Sequence, residues 1–126
     1  MGIWQIKSKR KLTGGLITAT VPKRKHSTGN NFLKVIIGEN KTKVVRIKGG
    51  NVKVKAVAAN TVNITDKKTG KTKNVGIEAV IENKANPHFI RQKLITKGAI
   101  VKTSVGNVRI TSRPAQHGVV NGIVVE

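Results

Sequence analysis

The sequence predicts a mainly β fold: a small six-stranded, barrel-like body with one short helix and a basic N-terminal extension. Three observations predict it. Val and Ile far outnumber Leu, which favours strands over helices. Thirteen glycines punctuate the 126 residues. Short apolar or alternating segments recur between Gly-containing turns, the pattern of a small barrel or sandwich. At this length one compact core is the expectation, and it must be aliphatic, because the aromatics are Trp4, Phe32 and Phe89.

Residues 1–30 stand apart. They contain Lys7, Lys9, Arg10, Lys11, Lys23, Arg24 and Lys25, no acid, and one possible short strand from Leu16 to Val21. A basic block with so little apolar material cannot build a core of its own. We read it as an extension, with residues 31–126 as the body.

The body opens on a hairpin. Lys43–Lys48 and Asn51–Ala56 flank Gly49-Gly50, a two-residue loop signal. With those glycines as the loop, Val45 faces Val54, Ile47 faces Val52, and Arg46 stands across from Lys53. Lys48 and Lys55 then share the basic face. Like charges across a strand pair destabilise it, and a merely solvated face normally mixes signs, so this one is expected to bind phosphates.

A second hairpin joins Thr61–Thr65 to 71–81 through Asp66-Lys67-Lys68-Thr69-Gly70. Asp early and Gly late fit a type I turn followed by a left-handed residue. Lys67, Lys68, Lys71 and Lys73 crowd its tip, as a solvated loop or as an RNA contact. Asn86-Pro87 starts the helix, with Ile90 and Leu94 on one face and Phe89 beside them. Three strands follow, Ala99–Ser104, Val108–Thr111 and Val119–Val125, the first two joined by Val105-Gly106-Asn107.

Charge narrows the function. Twenty-five Lys and Arg against five Asp and Glu give a formal net charge of +20. Such a chain repels itself, and a polyanion relieves the repulsion; nucleic acid is the natural one. The absence of Cys excludes disulfides and thiolate metal sites. His26, His88 and His117 lack metal-ligand spacing, and so few carboxylates supply little material for acid–base catalysis. No cofactor, metal, small-molecule substrate, enzymatic activity or homo-oligomer is expected. No apolar run approaches the roughly 20 residues of a membrane span, and no signal peptide is visible, so a soluble intracellular protein is expected. Scarce aromatics argue against single-strand recognition by base stacking and favour recognition of backbone and shape.

The ordered series Gly2-Ile3-Trp4-Gln5, Thr13-Gly14-Gly15, Lys23-Arg24-Lys25, Arg46-Ile47-Lys48-Gly49-Gly50-Asn51, Thr96-Lys97-Gly98 and Ser112-Arg113-Pro114-Ala115-Gln116-His117-Gly118 spans nearly the whole chain. It resembles the small-subunit ribosomal protein S8e family in its compact archaeal form. The eukaryotic members of that family carry a long insertion where this chain has Val105-Gly106-Asn107. The resemblance implies a β-barrel body that contacts small-subunit ribosomal RNA, with neighbouring ribosomal proteins as further partners and the cytoplasmic ribosome as the location. Two departures stand out. After the central basic run, where the family commonly has a Glu, Gly and Arg, this chain reads His26-Ser27-Thr28-Gly29-Asn30, and Ala115 stands where Gly is usual. A positive φ at Ala115 would strain it.

On this reading the extension threads between RNA helices through Lys7, Lys9, Arg10, Lys11, Lys23, Arg24 and Lys25. The hairpin docks through Arg46, Lys48, Lys53 and Lys55. Arg113 and Gln116 offer directional hydrogen bonds from a Pro-anchored turn, Gln116 equally serving to hold that turn. Trp4 packs against the barrel or stacks on a base. The alternatives are a ribosome-assembly factor and a general basic nucleic-acid-binding protein.

Overall fold

A computed structural model describes residues 3–4, 10–18, 24–66 and 70–125, with the backbone alone for Trp4. The chain forms two compact units, Met1–Phe32 and Leu33–Glu126.

In the first unit, β1 (Ile3–Trp4) pairs antiparallel with β2 (Thr28–Gly29), so the basic segment returns on itself. Between them Arg10 bridges Leu16 around a tight turn, in which Lys11 N donates to Gly15 O at 2.8 Å and Gly14 N donates to Lys11 O at 3.0 Å. Leu16 makes this bridge, and residues 17–18 form no strand. The remainder of the expected Leu16–Val21 strand lies outside the described residues.

The second unit is built on β3 (Ile36–Ile37), β4 (Lys41–Arg46), β5 (Val52–Ala59), β6 (Thr61–Thr65), β7 (Thr72–Glu82), β8 (Ile100–Thr103), β9 (Gly106–Ile110) and β10 (Asn121–Val124). Strands β6 to β10 close a barrel, and β3, β5 and β4 form a separate three-stranded sheet. The mainly β, barrel-bodied fold is thus the one observed, with five strands in the barrel rather than the expected six and three more in a separate sheet. Each neighbouring pair from β6 to β10 is antiparallel. Five strands alternating in direction leave the first and last pointing the same way, so β10 closes on β6 as a parallel pair. Closure removes sheet edges from this part of the molecule.

Gly122 lets β10 lie close against β9. A Cβ there would lie 2.5 Å from Val108 Cγ1 and 3.1 Å from the Arg109 carbonyl. Val62, Ile64, Ile77, Val80, Val101, Val108 and Ile110 belong to the buried core, joined by Val35, Ala56, Ala59, Ile95, Ala99 and Val120. Each fully buried Val or Ile contributes about 1.5–3 kcal/mol relative to exposure. The core is aliphatic as expected; Phe32 is exposed and Phe89 half-buried.

Gly70 takes the left-handed conformation expected at the end of its loop. Gly70 has φ 68° and donates to Asp66 O at 2.9 Å, and Asp66 N donates to Lys71 O at 3.1 Å. Lys67 and Lys68 lie outside the described residues. The β8–β9 turn is tighter than expected: Gly106 already pairs with Thr103, so Ser104 and Val105 alone form the loop. The buried Thr103 hydroxyl donates to Gly106 O at 2.8 Å.

Helix α1 (His88–Arg91) begins where Asn86-Pro87 predicts, and Asn86 Oδ1 accepts from His88 N at 2.9 Å. It lasts a single turn. Lys93 adopts φ 52°, its N–H bonds Ile90 O at 3.0 Å, and Leu94 N bonds Phe89 O at 2.9 Å. That pair of bonds is a Schellman termination with Lys in the position glycine usually takes. Leu94, expected on the helix, is buried after this reversal, where it bridges Ile36 of β3.

Candidate nucleic-acid interface

The β4–β5 ribbon corrects the expected register by one residue. Its pairs are Lys43 with Lys55, Val44 with Val54, Val45 with Lys53, and Arg46 with Val52. The loop takes in Lys48 as well as both glycines; Gly49 and Gly50 have φ 72° and 74°, and Ile47 N donates to Asn51 O at 2.8 Å. Asn51 Nδ2 also reaches Lys48 O at 3.4 Å, holding the wider turn. A one-residue slip moves every side chain to the other face.

Lys53 and Lys55 therefore share a face with Lys43 and Val45, while Arg46 lies on the other with Val44, Val52 and Val54. The expected set of Arg46, Lys48, Lys53 and Lys55 is split: two residues on the lysine face, one behind it, and Lys48 at the tip. Lys43, absent from that set, completes the lysine face. Lys43 and Lys53 are exposed and Lys55 half-buried. Directly opposed Lys43 and Lys55 cost stability rather than supplying it, roughly a few tenths of a kcal/mol.

The opposite face is buried only towards its inner end, and Val44, Arg46, Val52 and Val54 are exposed. Ala56 is buried on it, and helix α2 (Pro114–His117) packs on β5. Gly118 ends α2 with φ 76°, and a Cβ there would meet Val54 Cγ1 at 3.0 Å. Glycine is needed at this point for both conformation and space. Ala115, by contrast, sits inside the helical turn, so no strain attaches to it. Arg113 caps the turn through its carbonyl, which accepts from Gln116 N and His117 N at 2.9 Å each. The turn is held by backbone bonds and Pro114, leaving the side chains of Arg113 and Gln116 exposed.

In the first unit Arg10 is partly committed: its Nη1 donates to Gly14 O at 2.7 Å. Lys11, Arg24 and Lys25 are exposed, and Arg24 O accepts from the Ser27 hydroxyl at 2.7 Å at the head of the 3-10 turn Lys25–Ser27. Lys7, Lys9 and Lys23 lie outside the described residues, as does the side chain of Trp4. The structure thus places Lys53 and Lys55 together with Lys43, and Arg113 with Gln116.

Chemically these are donors and point charges suited to phosphate oxygens, with Arg able to bind bidentately. Acids do little to offset them; Glu78 pairs with Lys102 at 3.7 Å on the barrel wall, both largely exposed. Among the described residues no group of three or more His, Asp or Glu is placed to hold a metal. Nor is any helix there long and apolar enough to cross a membrane.

A closed five-stranded barrel with a lysine-faced ribbon and a basic N-terminal unit defines a small, strongly cationic β-barrel protein. The chain belongs to the ribosomal protein S8e family, whose model matches residues 4–125. It is 45% identical over 124 residues to small ribosomal subunit protein eS8 of Methanocorpusculum labreanum, covering 98% of this chain and 99% of the relative. The eS8 protein of Methanococcus aeolicus is 45% identical over 126 residues, with coverage of 99% and 98%. That of Methanospirillum hungatei is 46% identical over 123 residues, covering 98% of each.

Proposed function

We propose that this chain is a structural constituent of the small ribosomal subunit in the cytoplasm, where it binds and stabilises small-subunit ribosomal RNA among neighbouring ribosomal proteins. The near-full-length likeness to eS8 proteins supports the particle. The observation that carries RNA contact is Lys43 directly opposite Lys55 on a face shared with Lys53. Like charges held together at a cost to the fold are relieved by a bound polyanion. The role is architectural and needs no catalytic group.

Residues 1–30 serve as a basic arm that neutralises crowded phosphates, and the ribbon docks the body on RNA. Counterion release makes this measurable. Replacing Arg10, Lys11, Arg24 and Lys25 together by Ala should weaken binding to small-subunit ribosomal RNA. The slope of log affinity against log salt should flatten by about 3, near the value for four lost phosphate contacts. Unchanged affinity and slope defeat the arm reading. Co-sedimentation with mature small subunits in high salt tests the structural role, and release there favours an assembly factor instead. Equal affinity for duplex DNA favours a general nucleic-acid-binding protein.

A further inference from the structure

The barrel carries one stretch of outer wall that departs from the rest of this cationic protein. On β6, Val62 and Ile64 point into the core, so Thr61, Asn63 and Thr65 point outward. Their partners on β7 are Gly76, Asn74 and Thr72, and the partners of Asn63 and Thr65 on β10 are Asn121 and Ile123. None of these eight residues is charged, in a chain with 25 Lys and Arg.

Three amides are linked in a row across this wall. Asn74 Nδ2 donates to Asn63 Oδ1 at 2.8 Å, and Asn63 Nδ2 donates to Asn121 Oδ1 at 3.1 Å. Below it the hydroxyls of Thr65 and Thr72 lie 3.2 Å apart. Strands lie about 4.8 Å apart, so the row spans roughly 10 Å. Its chain of donation leaves an acceptor, Asn74 Oδ1, at one end and a donor pair, Asn121 Nδ2, at the other. Asn is depleted in strands, and three aligned across a sheet work against local propensity where Thr or Val would favour it. Departures from local preference concentrate at functional positions.

We propose that this amide row is a second RNA-contacting surface, one that reads ribose 2′-hydroxyls and base edges in the shallow minor groove of an A-form helix. The inference rests on the RNA-binding function proposed above. The minor groove of RNA is wide and shallow and displays groups that both donate and accept, which an amide row complements. A surface built for phosphates would be charged, as the β4–β5 ribbon is. A protein-docking surface would carry aromatic or other large apolar anchors at its centre, and here the centre is Asn63. The Asn121 end of the row has the charge a groove requires. Arg109, exposed on β9, pairs with Ile123. The Ser112 hydroxyl accepts from Asn121 N at 2.9 Å, bringing the Arg113 turn to the same end of the row. Cations at the border would meet the groove's phosphates while the neutral centre meets its floor.

The test uses the full chain, purified small-subunit ribosomal RNA, and the triple variant Asn63→Ala, Asn74→Ala, Asn121→Ala. The single changes Asn74→Ala and Asn121→Ala alter only the ends of the row and keep the test open should the triple variant unfold. Affinity is measured across a salt series, and 2′-hydroxyl acylation is mapped along the bound RNA. The triple variant should bind about tenfold more weakly with an unchanged salt slope, the end variants several-fold more weakly. A short run of nucleotides protected by the wild type should regain reactivity. Affinity within twofold of wild type with unaltered protection would overturn the proposal and leave the wall to a protein or to solvent. A slope that falls with affinity would also overturn it, since the row would then act through phosphates. Failure of the wild-type chain to bind this RNA would remove the function proposed above together with this inference.

Discussion

Lys43 stands directly opposite Lys55 across the β4–β5 ribbon, with Lys53 on the same face. No acid shares those register positions, so the arrangement opposes folding and favours a bound polyanion. Changing one member to an acid should separate the two effects. Lys43→Glu should raise stability by about 0.5 kcal/mol at low salt by converting the opposed pair into an attractive one. The same change should weaken binding to small-subunit ribosomal RNA and flatten its salt slope by about 1. Thermal melting and a salt titration check both. A variant that binds as tightly as wild type removes this face from the interface.

The β4–β5 ribbon also shows where the sequence stops informing. Gly49 and Gly50 mark a hairpin, but two glycines serve a two-residue or a three-residue loop equally well. The choice of the wider loop put Arg46 and Lys53 on opposite faces. Gly70 was legible because φ 68° favours glycine. Asn86-Pro87 likewise placed the start of α1. Its end was hidden, because the reversal falls on Lys93, a residue that gives no stop signal. The lysine face was half legible from alternation. The amide row was not, since Asn63 and Asn121 are 58 positions apart and meet only through parallel closure of the barrel.

The packing of β10 against β9 rests on Gly122. A methyl group there would fall 2.5 Å from Val108 Cγ1, well inside van der Waals contact, and 3.1 Å from a carbonyl on the neighbouring strand. Gly122→Ala should therefore destabilise the fold by about 1–3 kcal/mol through overpacking. Chemical denaturation of the variant is the measurement; a loss below about 0.5 kcal/mol would mean that Val108 yields to the added methyl.

Asn83 is a buried amide at the far end of β7. Its Nδ2 donates to Thr96 Oγ1 at 2.8 Å and its Oδ1 accepts from Ala85 N at 3.1 Å, tying the strand exit to the segment before β8. Asn83→Ala removes both partners at once and should cost about 1–3 kcal/mol. Asn83→Asp keeps the acceptor but loses the donor to Thr96, and places a carboxylate in a buried site. It should be destabilised too, which a denaturant midpoint comparison would show.

Lys93 holds φ 52° at the Schellman turn that ends α1. The left-handed conformation costs a residue with a Cβ about 1–2 kcal/mol, and glycine escapes that cost while giving back part of it through a freer unfolded chain. Lys93→Gly should therefore raise stability by about 0.5–1 kcal/mol, even though it deletes a charged side chain. Lys93→Ala retains the Cβ and the strain, so it should leave stability close to that of the wild type. The two variants remove the same charge and differ in backbone freedom, so their difference in denaturation free energy isolates the conformational contribution. Equal stabilities for Gly and Ala would show that the turn carries no strain at this position.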